Sequence, residues 1–238
     1  MAQERLDKII ASMGRYSRRE VKQLVKEGLV LADGKIVRSA EEKYDAETVE
    51  ITVSGEVLSY RRFTYVMLHK PAGVLSATED GRGETVLDLL PKECRKMGLF
   101  PVGRLDKDTE GLLLLTNDGE LANHLTHPSH EVNKRYLVIV EGSVTADEVK
   151  KLEKGLFIEG GKTAPAKVKI LKCENGKTEL TIIIHEGRNH QVKKMFEAVE
   201  KRVVFLKRIS VGDINLGQLK KGEYRKLTDE EITYLKSL

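Results

Sequence analysis

Apolar residues recur along this chain with two different periods, and the change from one to the other predicts its elements. Leu6, Ile9, Ile10 and Met13 fall at i, i+3, i+4 and i+7, the spacing of an amphipathic helix, and Val21, Leu24 and Val25 form a second stripe. Ser17 followed by Glu20 is a capping box that starts the second helix, and Gly28 stops it. Asp33-Gly34, between the apolar pieces Leu29 to Leu31 and Ile36-Val37, predicts a hairpin, and the alternation of Val49, Ile51 and Val53 predicts a strand. The polar stretch from Ser54 to Arg62 reads as a linker, which places a domain boundary near residue 60.

Beyond that boundary, strand-like stretches at 65–69, 112–116, 135–140, 164–171, 178–185 and 203–208 alternate with a few helices. Asn117 with Glu120, Thr145 with Glu148 and Thr228 with Glu231 are the helix starts, and Asn175-Gly176 is another tight hairpin. Val192, Met195, Phe196 and Val199 give one more helical stripe, leaving His190, Lys193 and Lys194 off it. Strands outnumber helices and several are joined by hairpins, so the expected class is α+β with a mixed or antiparallel sheet. A small α/β domain at 1–60 and a larger sheet domain at 61–238 are expected.

Charge sharpens the first domain. Residues 1–26 hold seven basic side chains (Arg5, Lys8, Arg15, Arg18, Arg19, Lys22, Lys26) against three acidic ones (Glu4, Asp7, Glu20), a net +4 that equals the net charge of the whole chain. Arg18, Lys22 and Lys26 follow i, i+4 spacing, away from the apolar stripe, and make a cationic ridge. Two cysteines without metal-ligand spacing, and apolar runs far short of the roughly 20 residues that span a bilayer, predict a cytoplasmic protein without a membrane segment. His124, His127 and His130 recur at three-residue intervals, but Pro128 interrupts the helix and no thiolate or carboxylate cluster completes a site, so no metal is expected.

The chemistry-bearing strings come in order. Lys70-Pro71-Ala72-Gly73 ends the apolar stretch Tyr65 to Leu68 in a turn fixed by proline and freed by glycine. Gly103-Arg104-Leu105-Asp106-Lys107-Asp108-Thr109-Glu110-Gly111 carries an aspartate on a charged loop that enters the buried run Leu112 to Leu115. Lys134-Arg135-Tyr136-Leu137-Val138 puts an aromatic in a strand, and Glu186-Gly187-Arg188-Asn189-His190-Gln191-Val192-Lys193-Lys194-Met195 opens the last helical stripe. A carboxylate leaving water is costly unless a cation answers it, so a site on this loop is expected.

These strings closely resemble the motifs of pseudouridine synthases, specifically the RsuA-like branch that modifies ribosomal RNA. The helix, basic helix and hairpin at the N-terminus resemble the S4-type RNA-binding domain, so the resemblance covers nearly the whole chain. It implies isomerisation of uridine to pseudouridine, a reaction that loses no atoms, changes no oxidation state and needs no cofactor. It implies Asp106 as the catalytic residue, acting either by attack on the anomeric carbon or by removal of a ribose proton. Arg188 is the implied partner of Asp106, and Tyr136 the stacking partner of the uracil; Arg104, by its place two residues before Asp106, is a candidate to fill the vacated stack or hold a flanking phosphate of a flipped nucleotide. Arg5, Arg15, Arg18, Arg19, Lys22 and Lys26 in the small domain, with His190, Lys193 and Lys194 near the site, are the expected RNA contacts. His190-Gln191 and the ending Gly222-Glu223-Tyr224-Arg225-Lys226-Leu227-Thr228 look more like enzymes acting on small-subunit ribosomal RNA, or an assembly intermediate containing it, than like large-subunit relatives. Gly119-Glu120-Leu121-Ala122-Asn123 is the feature shared with the latter. A noncatalytic RNA-binding or ribosome-assembly protein is the alternative of another class, and no stable protein partner is implied.

Overall fold

The computed structural model describes residues 3–58, 60 and 63–238. Contacts divide the chain into two compact units, one made of the described part of Met1–Thr64 with Leu90–Phe100, the other of Tyr65–Leu89 with Pro101–Leu238. In the first unit the helices Leu6–Ser12 and Arg18–Lys26 precede a four-stranded antiparallel sheet of Lys35–Ile36, Val30–Ala32, Ile51–Val53 and Glu56–Leu58, in that spatial order. Leu6, Ile9 and Ile10 from one helix, Val21 and Val25 from the other, and Val30, Ile51 and Val53 from the sheet close a single core. Ser17 Oγ accepts from the Glu20 amide at 3.3 Å and Glu20 Oε2 accepts from the Ser17 amide at 2.6 Å, so the capping box forms as expected.

The stretch expected to be a linker from Ser54 begins instead with a hairpin. Ser54 and Gly55 have φ of +50° and +85°, and Glu56–Leu58 pairs with Ile51–Val53. Val57 is 64% exposed, so the ladder holds this strand with little help from burial and the polarity pattern gives no sign of it. Ser59, Arg61 and Arg62 of that stretch lie outside the described residues.

The second unit is built on a mixed sheet whose main path runs Lys167–Glu174, Lys177–Ile184, Lys134–Glu141, Val203–Val211, Glu110–Thr116, Tyr65–Lys70 and Tyr224–Lys226. Every pairing on this path is antiparallel except that of Val203–Val211 with Glu110–Thr116, where Lys207 and Arg208 face Glu110 and Gly111 in parallel. Glu110–Thr116 and Tyr65–Lys70 are buried at every residue, which is why they read as continuous apolar runs. Helices Ala146–Lys154 and Asp229–Ser237 start at the expected capping boxes of Thr145 and Thr228. Helix Gly119–Thr126 is capped by Asp118 and not by Asn117: Asp118 Oδ1 accepts from the Leu121 amide at 3.1 Å while Oδ2 accepts from the Tyr65 hydroxyl at 2.7 Å. Asp is itself a preferred cap residue, and its second oxygen ties the helix start to Tyr65 on a neighbouring strand.

Two features of this unit fix the loop between 103 and 109. Lys70 is fully buried, and its ammonium reaches the carbonyls of Pro71 (3.0 Å), Asp106 (3.0 Å), Lys107 (3.2 Å) and Thr109 (2.9 Å). The last strand of the first motif thus ends in a cation that gathers the backbone of the second. Gly111, at φ +109°, lets the chain leaving the loop pass against the backbone of Arg208, where an added Cβ would lie 2.2 Å from the carbonyl oxygen. Burial pushes the Lys70 ammonium down to about 8 from 10.5; burial, followed by the positive charge of Arg208, does the same to Lys134.

Gly111→Ala is expected to destabilise the chain by about 2–4 kcal/mol, since strain at positive φ and the clash with a strand backbone add; urea unfolding measures it. The two lysines give a pH dependence of definite sign. Above the folded value of about 8 the unfolded chain still holds protons that the folded chain has shed, so stability rises with pH from about 8 until the tyrosines titrate near 10. Unfolding free energies from urea titrations over that range are expected to climb by on the order of 1 kcal/mol per pH unit, and Lys134→Met to flatten the slope. A flat or falling profile in the parent chain is the contrary result.

Candidate functional site

Leu105 anchors the charged loop in the core at 5% exposure, and Ser76 clamps it by accepting from the Leu105 amide at 3.1 Å and donating to the Leu105 carbonyl at 2.8 Å. With Lys70 holding the next carbonyl, the Asp106 backbone is fixed on both sides, and its side chain, 25% exposed, is presented to a cavity of about 130 Å³. Asp106, Arg104, Tyr136 and Arg188, all expected at one site, line this cavity together. Tyr136 is 8% exposed on the strand Lys134–Glu141, and Arg104 is exposed at the rim.

The cation beside Asp106 is Lys193. Its Nζ lies 3.3 Å from Asp106 Oδ2 and 2.5 Å from Asp108 Oδ1, while His190 Nε2 lies 3.6 Å from Asp106 Oδ1. Burial opposes the charge on Lys193, but the hydrogen bond to Asp108 and the fields of both aspartates outweigh it and raise its pKa above the ordinary lysine value. Asp108 is held below the usual carboxylate range, chiefly by its hydrogen bond from Lys193. Lys193 reaches Asp106 from the first turn of helix Gln191–Glu197, and His190 reaches it from the cap position before that helix, where its φ is +53°. The charge pattern of the sequence assigns both, with Lys194, to RNA. Lys194 is itself engaged, 2.5 Å from Glu159.

Arg188 does not pair with Asp106. Its guanidinium donates to the carbonyls of Gly160 (3.3 Å), Gly161 (3.0 Å) and Lys162 (2.7 Å) and to Glu186 Oε1 at 2.8 Å. The residues it holds are the last turn residue and the second strand of the small hairpin Phe157–Ile158 and Gly161–Lys162. Glu186 also accepts from the Ala164 amide at 2.9 Å and from Gln191 Nε2 at 2.7 Å. Burial works against an ionised Glu186, yet these hydrogen bonds and the Arg188 charge win and keep it below the usual carboxylate range. Arg188 is spent on carbonyls because it sits in the turn before the helix, one step short of the face that meets the loop.

Two further basic groups line the cavity and were not assigned to the site from sequence. Lys134 donates to the carbonyls of Val132 (3.0 Å) and His185 (3.1 Å), and Arg208, 4% exposed, donates to the Leu112 carbonyl at 2.8 Å. A lysine or arginine within a strand carries no local mark of burial.

In the first unit, charge partners reduce the free basic surface. Arg5 bonds Asp7 (2.8 Å) and Glu41 (2.9 Å), Arg15 pairs with Glu56, and Lys22 lies 3.6 Å from Glu41. Arg18, Arg19 and Lys26 are exposed on their helix without an ion pair among the described residues.

Residues 64–198 match the family model for RNA pseudouridylate synthase, and residues 4–49 match the S4 domain. The chain is 50% identical over 233 residues to the "Uncharacterized RNA pseudouridine synthase YtzG" of Bacillus subtilis (strain 168), covering 97% of this chain and 98% of that one. It is 43% identical over 237 residues to the "Ribosomal large subunit pseudouridine synthase B" of the same organism, covering 99% and 96%. A solved pseudouridylate synthase superposes with a TM-score of 0.68 at 35% identity, covering 98% of this chain and 99% of that one. Among the described residues, no helix is long and apolar enough to cross a membrane. With an S4 domain at its start and the synthase sheet after it, the chain belongs to the RNA pseudouridine synthases, isomerases that act on RNA.

Proposed function

We propose that this enzyme converts a uridine of ribosomal RNA to pseudouridine in the cytoplasm, with Asp106 as the catalytic carboxylate and without a cofactor. One observation carries the reading: Asp106 stands at the mouth of a cavity lined by Tyr136, with the Lys193 ammonium 3.3 Å away and its own backbone clamped by Lys70. A fixed, charge-partnered carboxylate beside an aromatic wall is what breaking a glycosidic bond and turning the freed base require. The carboxylate acts at the sugar, the flat ring holds the base without demanding one orientation, and the enclosure keeps water from capturing the sugar. A nucleotide paired or stacked in RNA cannot reach Asp106, so the target is flipped into the cavity, with Arg104 at the rim to meet the flanking RNA. Arg18, Arg19 and Lys26 of the S4 domain add sequence-independent phosphate contacts. Arg188 serves this reading as a positioning residue, lining the cavity while its guanidinium ties the segment 160–162 to the start of helix Gln191–Glu197.

Small-subunit RNA is the proposed target, on the strength of His190-Gln191 and the Gly222 to Thr228 ending. The large-subunit reading is favoured instead by the relative that is 43% identical and named for that subunit. Mapping pseudouridine in both ribosomal RNAs from cells with and without the protein decides between them: one missing site is expected, in the small-subunit RNA.

Asp106→Asn is expected to abolish conversion while RNA affinity stays within about twofold, the pattern of a group used only in the transition state. Lys193→Gln is expected to lower single-turnover conversion by about 100-fold and Lys193→Arg to retain most of it, because the charge beside Asp106 is what matters. Conversion by Asp106→Asn at the parental rate would refute the assignment.

A further inference from the structure

Arg208 lies directly opposite Tyr136 across the pairing of Val203–Val211 with Lys134–Glu141. Leu206 and Arg208 line the cavity on one strand and Lys134 and Tyr136 on the other, while the intervening Lys207 and Arg135 do not. This period of two shows that the lining is made by side chains standing on the same sheet face. Arg208 is 4% exposed, and only its Nε is used, in the bond to the Leu112 carbonyl. Among the described residues neither Nη makes a hydrogen bond and no carboxylate pairs with the guanidinium; the charge it meets is another cation, Lys134. Asp106, the carboxylate of the cavity, is engaged by Lys193 and His190. A buried guanidinium without an acid is among the costlier arrangements in a fold, and this one faces empty space of molecular size.

The reaction supplies the missing charge. When the bond from C1′ to N1 breaks, both its electrons stay with N1, and the detached ring is an anion whose charge is shared by N1, O2 and O4. On the sugar, C1′ bonds to an Asp106 oxygen, or Asp106 takes the C2′ proton and C1′ forms a double bond to C2′. By either route Asp106 becomes neutral, so the negative charge has moved from a group beside Lys193 to the ring. When C5 bonds to C1′, Asp106 recovers its charge by release of the ester or return of the C2′ proton. The C5 proton then leaves as a nitrogen gains one, and no atom or electron is lost.

We infer that Arg208 is a further catalytic residue of this reaction, whose guanidinium binds the detached uracil ring and stabilises its negative charge; the inference rests on the reading of Asp106 given above. The planar fork offers paired in-plane N–H donors to a ring oxygen and nitrogen, and in a dry cavity such donors act most strongly on charge that develops during the reaction. Nε held by Leu112 aims the fork from the strand that follows the Asp106 loop, so the two charged groups are placed by one piece of backbone.

The test compares uridine with 5-fluorouridine at the target position of one RNA, in single turnovers counted on RNA-bound enzyme, for the parent, Arg208→Gln and Arg208→Lys. Fluorine withdraws electrons from the ring and leaves less charge for a cation to stabilise. Arg208→Gln is expected to slow glycosidic cleavage of uridine about 100- to 1,000-fold at unchanged RNA affinity, with a deficit at least about tenfold smaller for 5-fluorouridine. Arg208→Lys, which keeps a displaced charge, is expected to recover part of the rate and carries the same comparison if the glutamine variant does not fold. Equal deficits on the two bases, or a loss of RNA affinity with the bound-state rate intact, would overturn the inference. A parent enzyme that makes no pseudouridine in any RNA would instead remove the reading of Asp106, whereas an active parent matched by Arg208→Gln removes Arg208 alone.

Discussion

The Lys70 ammonium, buried beneath the loop and shared among four backbone carbonyls, is the interaction on which the rest of the site depends. Carbonyls of an irregular loop turned into a core need donors, and a single ammonium meets several of them at once. Its charge has no carboxylate within ion-pair distance among the described residues; the fields of Asp108, Asp106 and Glu110 favour it from farther off, against the larger penalty of burial. The loop is therefore as rigid as the strand Tyr65–Lys70 that carries the lysine. Asp106 inherits that rigidity through its own carbonyl, which Lys70 and the Thr109 amide both use. A carboxylate placed in this way needs only a cation on the far side, and helix Gln191–Glu197 brings one.

Much of this fold was legible because burial and period coincide. The continuous run Leu112 to Leu115 and the stripe of Leu6, Ile9 and Ile10 marked a central strand and a core helix, and the positive φ of Asp33-Gly34 and Asn175-Gly176 realised the expected hairpins. The parts that escaped it lack an apolar pattern or depend on tertiary partners. Glu56–Leu58 is an exposed strand held by the ladder of its neighbour Ile51–Val53, and the Asp118 that caps its helix also accepts a bond from Tyr65. The site divides in the same way. Motif resemblance brought Asp106, Tyr136 and Arg188 to one cavity, yet the partner of each guanidinium or ammonium is settled by fractions of a helical turn. Arg188 falls in the turn and takes carbonyls; Lys193 falls on the facing side of the helix and takes the aspartates.

The basic surface of the S4 domain follows the same rule. Seven basic side chains in 26 residues look like a single ridge, but Arg5, Arg15 and Lys22 fold back on Asp7, Glu41 and Glu56. Arg5 in particular accompanies a buried carboxylate, since Asp7 is 1% exposed and its pKa is lowered first by the hydrogen bond from Arg5. Such pairs fix the domain's own structure. Arg18, Arg19 and Lys26 are left exposed without an ion pair among the described residues, so net charge overstates the free basic surface of the domain.

The cavity is asymmetric in charge, and the asymmetry is mechanistically informative. Its carboxylate sits at the mouth, 25% exposed, beside Lys193 and His190; the wall bearing Tyr136 holds Lys134 and Arg208, more cations than the cavity has acids to match. An arrangement made only for stability would match these cations with acids, because an unpaired buried cation is costly: burial, and then the charge of Arg208, lower the proton affinity of Lys134. Left apart, they define two places where one negative charge is welcome. A reaction that starts with the charge on a carboxylate, passes it to a freed base and returns it to the carboxylate fits that division without an external acid, base or metal. The same geometry explains why the sheet must keep Gly111: the chain that carries Asp106 and the strand that carries Arg208 touch there, backbone to backbone, and the spacing between the two places for charge is set at that contact.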